Sequence, residues 1–175
     1  SPPDNCEVID LSGKHVYPGM IAAVSGIGLI EINAVSVTND HSERGDFNPN
    51  VRTNVAYNPD SELIPTTRSN GVLVANVVPS SGLVSGQSSI MMLDGWTWED
   101  ATLQSPSGLH INWPSMKTEA TTDYQKKALK TAKKHLSMLE TMIKDARAYM
   151  RLRKTKTRKA ENYHPEDLRW ESMIP

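Results

Sequence analysis

Apolar residues along this chain come in short bursts followed by one long periodic stretch, and each burst predicts an element. Residues 7–11 and 15–21 are strand-like runs on either side of a Ser12-Gly13 turn. The second run crosses Pro18-Gly19 into the longest apolar run, residues 20–32, which is rich in small side chains. Residues 39–65 are dense in Asn, Asp and Pro, which favour turns and helix starts. Within them Asn58-Pro59-Asp60-Ser61 predicts a turn into a short helical piece. A Ser69-Asn70-Gly71 turn then launches residues 72–78, nearly all apolar, the pattern of a strand buried on both faces of a parallel sheet. Residues 79–82 end that strand, and Ser85-Gly86-Gln87-Ser88-Ser89 predicts a second, flexible turn. An apolar run at residues 90–93 follows that turn, and residues 109–114 are expected to be a further short strand.

From Asp123 to about residue 153 the period becomes helical. Leu129, Ala132, Leu136, Leu139, Ile143, Ala146 and Met150 step by alternating three and four residues, and Ala128, His135, Met142 and Tyr149 form a row beside them. Neither Gly nor Pro interrupts, and Thr121, Thr122 or Asp123 can cap the start. Lys126, Lys130, Lys133, Lys134, Arg147, Arg151, Arg153 and Lys154 supply a basic surface away from the stripe. A helix packed on the fold with a solvated basic face is the plain reading. Pairing with a partner helix, or binding of a polyanion, is the alternative. Against nucleic acid stand the lack of any recognised binding motif and the single aromatic, Tyr149, between Lys126 and Lys159. No run is long and apolar enough to read as a membrane span or a signal peptide.

Composition narrows this picture. At 175 residues the chain is one ordinary domain or part of a larger one. An apolar share of 38% with Phe47 as the one phenylalanine argues against a large self-contained core. The lone Cys6 excludes an internal disulfide and leaves the compartment open, so a soluble chain in the cytoplasm or a bacterial periplasm fits equally. The net charge of −1 conceals an acidic front and a basic segment: residues 1–118 carry five Lys/Arg against twelve Asp/Glu, and residues 119–159 carry thirteen against four.

Candidate chemistry is sparse. The five His show no ligand spacing, and His41, near Asp40 and Glu43, is expected to be a solvated loop residue. Ser85 lies between Gly82 and Gly86, but not at the spacing of a G-x-S-x-G elbow and with no base near in sequence, so its loop reads as backbone punctuation, the alternative being a residue that lines a pocket. Trp96 and Trp98 alternate, so an extended backbone would turn both rings to one side as a wall or stacking platform. Arg52 and Arg68 can grip a carboxylate through two nitrogens, although salt bridges with the acidic front explain them as well.

Several separated segments resemble one family. Ile9, Asp10, Gly13, Lys14, Val16, Pro18, Gly19, Met20 and Ile21 match the junction in the amidohydrolase superfamily where a small β-domain leads into the first strand of a (β/α)8 barrel. Residues 58–65, 67–72, 79–89 and 93–100 resemble the imidazolonepropionase-related branch in the same order, as do residues 167–175. The resemblance implies metal-dependent hydrolysis of a non-peptide C–N bond, often in a cyclic amide. It also implies a His-x-His pair on the first strand, but here the two positions are Val24 and Gly26, and the preceding aspartate position is Ala22. Neither an isopropyl group nor a hydrogen can bind zinc, and without the cation the usual route to hydroxide at neutral pH is lost.

The expected architecture is therefore α/β: a partial (β/α)-barrel-like N-terminal portion with a β-strand lead-in and one long C-terminal helix. Its expected parts are a lead-in and first strand (1–21), a loop-rich α/β segment (22–118), the basic amphipathic helix (119–159) and the start of a further unit (160–175). A whole barrel takes about 250 residues, so the remaining strands, later metal ligands and catalytic aspartate are expected outside this chain. No catalytic residue, metal ligand or cofactor is expected in the chain itself. Zinc is expected only if a partner supplies the ligands. The implied partner is another protein chain, either the rest of the barrel or an oligomer. The expected role is structural or in assembly, the alternatives being one piece of a split amidohydrolase and a polyanion-binding protein.

Overall fold

The first strand starts where the backbone first finds a partner. Pro18 has no N–H to donate, and the ladder opens with Met20 N–H donating to Gly71 O at 2.8 Å. Strand β1 thus spans Met20–Ser25. The strands expected at residues 7–11 and 15–21 do not form: apart from Met20 and Ile21, these residues lie outside regular structure and are exposed. No strand among the described residues lies beside them to pair with. The computed structural model describes residues 6–116, 121–154 and 166–174.

After β1 the chain makes 3-10 turns at Ser36–Thr38 and Thr53–Ala56 before helix α1, Leu63–Ser69. Helix α1 is the short piece expected after Asn58-Pro59-Asp60-Ser61. Strand β2, Val72–Val77, follows its Asn70-Gly71 exit, with Gly71 at φ +87°, a conformation most side chains avoid. Strand β3 spans Val84–Met92, helix α2 Trp98–Ala101 and strand β4 Thr102–Ile111. The sheet order is β1-β2-β3-β4, with β1 and β2 parallel and the other two pairings antiparallel. The sheet is mixed, so β2 has a parallel neighbour on one side only, and its full burial is confined to Ala75 and Val77.

The largest departure from the sequence pattern is at residues 85–89. Expected as a flexible turn, they form the middle of β3, and all five are buried. Small polar side chains can be buried there because their hydroxyls are paired. Ser89 meets Ser105 at 2.9 Å and Ser105 donates to Asn54 Oδ1 at 3.1 Å. Ser88 meets Ser107 at 2.8 Å, Ser107 donates to Asn76 Oδ1 at 2.9 Å, and Asn76 Nδ2 donates to Ala23 O at 3.2 Å. This second chain of bonds ties all four strands together. Gly86, at φ +137°, sits at the first of three register irregularities between β3 and β4, and a Cβ there would meet Val51 O at 2.8 Å. Strand β4 in turn begins well before the expected residues 109–114, of which Asn112–Pro114 lie past its end.

Helix α3, Asp123–Lys154, agrees closely with its expected span. Thr122 caps it: Thr122 Oγ1 accepts from Gln125 N–H at 3.3 Å while Gln125 Oε1 accepts from Thr122 N–H at 3.0 Å, a reciprocal capping box. Ala132, Leu139 and Ala146, seven residues apart along the middle of the expected stripe, are its buried residues. Leu139, Met138 and Met142 pack with Leu83, Val84, Phe47 and Leu109. A separate cluster of Leu29, Tyr57, Ile64, Ala75, Val77, Met91, Leu93 and Ala101 lies between the sheet and the α1 and α2 segments. The last described stretch holds helix α4, Leu168–Glu171, whose cap Asp167 accepts from Arg169 N–H at 3.0 Å. Residues 117–120, 155–165 and 175 lie outside the described residues, and with them both ends of the expected helical part 119–159 and the start of the expected further unit 160–175.

Candidate functional site

The end of β1 opens onto a cleft of about 410 Å³ lined in part by Ser25, Gly26, Ile30, Glu31 and Leu63. The sequence builds this end through a tight turn. Ser25 Oγ accepts from Ile27 N–H at 3.1 Å, and Gly26 O accepts from both Leu29 N–H at 3.0 Å and Ile30 N–H at 3.2 Å. Gly26 borders the cleft with little room to spare, since a Cβ there would stand 3.1 Å from Ile30 Cδ1. Val24 does not line the cleft and is 74% exposed.

Glu31 is the one ionisable group lining the cleft among the described residues. Both its oxygens are engaged: Asn58 Nδ2 donates to Oε1 at 3.2 Å and Ser61 Oγ donates to Oε2 at 2.8 Å. These bonds tie the loop after β1 to the start of α1. The sequence reading missed Glu31, and its only sequence signal is an acid inside the longest apolar run. Among the described residues, no group of three or more His, Cys, Asp or Glu converges as a metal site would require.

The other residues singled out from the sequence are spread over the fold. Ser85 is buried in β3, where its Oγ accepts from Asn112 Nδ2 at 3.0 Å. Trp96 is 89% exposed on the loop before α2, whereas Trp98 is the first residue of α2 and packs against the core. The two rings form no shared platform, because the backbone turns between them: Thr97 caps α2, its Oγ1 accepting from Asp100 N–H at 3.3 Å. Arg52 is exposed and its backbone bridges to Gln87. Arg68 closes a salt bridge with Asp94 and donates to Leu93 O at 3.2 Å, at the border of a second cleft of about 270 Å³. Of these five, Arg68 borders the second cleft, and Arg52, Ser85, Trp96 and Trp98 line neither of the two.

On α3, Lys126, Lys130, Lys133, Lys134, Arg147, Arg151 and Lys154 are exposed. Arg153 is different. It turns toward α4 and pairs with Glu166 at 2.8 Å and Glu171 at 2.7 Å. Tyr149 donates to Glu171 Oε1 at 2.8 Å and accepts from Asp167 N–H at 3.2 Å, so the two residues hook α4 onto α3. The Asp167 carboxyl is held below its ordinary pKa mainly by its hydrogen bond from Arg169. His110, on β4, has its imidazole pKa lowered by burial and no partner role at the cleft. His41 keeps a buried Nδ1 with no partner among the described residues.

Comparison with known proteins places this arrangement. No protein-family model matches the chain, and no curated protein matches it in sequence. A solved structure does: the crystal structure of an amidohydrolase from Thermotoga maritima MSB8 matches at a TM-score of 0.77 and 23% identity, over 98% of this chain and 45% of that one. The chain has an amidohydrolase-like fold and spans less than half the length of this neighbour. No helix among the described residues is long and apolar enough to cross a membrane.

Proposed function

We propose that this chain is an amidohydrolase-type scaffold, of the imidazolonepropionase-related branch, that serves assembly and does not itself hydrolyse C–N bonds. The observation that carries the reading is the pairing of that fold with the residues at the end of its first strand. A chain matched over 98% of its length by an amidohydrolase carries Val24 and Gly26 at the positions where the resemblance puts two imidazoles. The donor set does not fit a divalent cation. The side chains at Val24 and Gly26 offer no lone pairs, and the carboxylate at the strand end, Glu31, accepts from Asn58 and Ser61.

A second reading, a multi-chain amidohydrolase of which this is one piece, is favoured by the 45% share of the neighbour that the chain spans. A partner would then supply the remaining strands, the zinc ligands and the catalytic acid. Both readings are tested by metal analysis of the purified chain and of the assembly it forms, with a hydrolysis assay on a cyclic amide. The scaffold reading expects no stoichiometric zinc and no turnover in either. One equivalent of zinc and turnover in the assembly alone would replace it with the multi-chain reading.

A further inference from the structure

Of the asparagines in this chain, Asn70 alone is followed by glycine. That pair is chemically labile, because a glycine carries no side chain to crowd its nitrogen as it approaches the asparagine side-chain amide. Both residues are exposed, at the turn between α1 and β2. Hydrogen bonds hold the turn closed: Asn70 Nδ2 donates to Thr66 O at 2.8 Å, Asn70 N–H to Thr67 O at 3.2 Å and Gly71 N–H to Arg68 O at 2.9 Å. Asn70 has φ −87° and ψ 9°, which rotates its Cβ and the Gly71 nitrogen apart about the Cα–C bond. A five-membered ring through those atoms closes only when that bond turns and the Gly71 N–H is released. Asp94-Gly95 shares the small second residue, but its carboxylate is paired with Arg68 and has no amide nitrogen to expel.

We propose that Asn70 is a site of spontaneous deamidation, and that opening of the α1–β2 turn sets its rate. In the open turn the Gly71 nitrogen gives up its proton to hydroxide and attacks Asn70 Cγ. The new C–N bond forms as the bond to Nδ2 breaks, and Nδ2 takes a proton from water and leaves as ammonia. Water then opens the resulting succinimide at either carbonyl and leaves aspartate or isoaspartate at position 70. The net change is one water in and one ammonia out, with no electron transferred. Both products lose the donor to Thr66 O. The isoaspartyl product also lengthens the main chain by one methylene just before Gly71, whose carbonyl accepts the Met20 N–H that opens the β1–β2 ladder. Among the described residues β1 pairs with β2 alone, so this change loosens the start of an edge strand. Thr67, in the same turn, lines the cleft at the other end of that strand. The proposal stands whether or not the chain is a scaffold.

The test is incubation of the full chain at mildly alkaline pH, with and without denaturing guanidinium chloride, followed by peptide mass spectrometry that localises each change by fragmentation. The expected result is a gain of one mass unit that appears first at Asn70. It should be faster by about tenfold or more in the denaturant, because the folded chain reacts only from its open turn. Asn70→Ala, which has no side-chain amide to lose, should show no gain at that position. In material converted to isoaspartate, amide exchange at Met20 should accelerate by about tenfold while the β3–β4 ladder keeps its protection. A gain that appears first at another asparagine, equal rates with and without denaturant, no gain in either, or unchanged exchange at Met20 after conversion would each overturn the proposal. Failure of the functional reading would instead show in zinc content and turnover, which these readouts do not touch.

Discussion

The ring of Tyr57 packs against Gly28, so close that a Cβ on Gly28 would stand 2.5 Å from Cδ2 and Cε2. Gly28 also has φ +75°, and its carbonyl accepts from Asn58 N–H at 2.8 Å. This contact sets the path of the chain out of β1 and therefore the shape of the cleft at the strand end. Gly28→Ala meets both the ring and the backbone conformation. Its expected cost is about 1–3 kcal/mol, measured as a lowered urea midpoint with an unchanged slope.

Burial of the same tyrosine raises its pKa from the ordinary 10 to about 12. Below pH 10 the phenol is neutral in both folded and unfolded chains, and its contribution to stability is constant. Between pH 10 and about 12 the unfolded chain releases the proton and the folded chain keeps it, so stability falls as pH rises. Urea unfolding of the wild type and of Tyr57→Phe across that window should show a steeper decline in the wild type.

The paired hydroxyls of β3 and β4 make a third expectation. Ser105→Ala leaves the buried Ser89 hydroxyl and Asn54 Oδ1 without their shared partner, at a cost of about 1–3 kcal/mol. In a double-mutant cycle with Ser89→Ala the two losses should be less than additive, whereas Ser105→Ala and Gly28→Ala should add.

Contacts that hold the last described segment include Trp170 against Phe47 with ring centres 5.1 Å apart, Gln87 Nε2 to Ser172 O at 3.4 Å, the Tyr149 bonds to Glu171 and Asp167, and the Arg153 salt bridges to Glu166 and Glu171. Trp170→Ala removes the aromatic one. Amide exchange at residues 168–174 should accelerate markedly while β3 stays protected, a result expected of local rather than global opening.

Local chemistry made some of this legible. The three-four stepping from Leu129 to Met150 predicts α3 nearly to the residue, because a periodic apolar face of that length has one compatible backbone. The Asn-Gly turn before Val72 likewise places the start of β2. The absence of donors at Val24 and Gly26 is a fact of side-chain composition, and it needs no fold to be read.

What only the tertiary structure decided concerns residues whose state depends on distant partners. Ser85–Ser89 read as a turn because serine and glycine avoid strands when unpaired. Ser105, Ser107, Asn54 and Asn76, remote in sequence, supply the hydrogen bonds that let them be buried. Conversely, residues 7–11 are a strand-like run, but a strand needs a neighbour, and none among the described residues lies beside them. Periodicity fixes a helix from within, through bonds four residues apart. A sheet is fixed from outside, by which segments meet, and that is why α3 could be read from the chain and β3 could not.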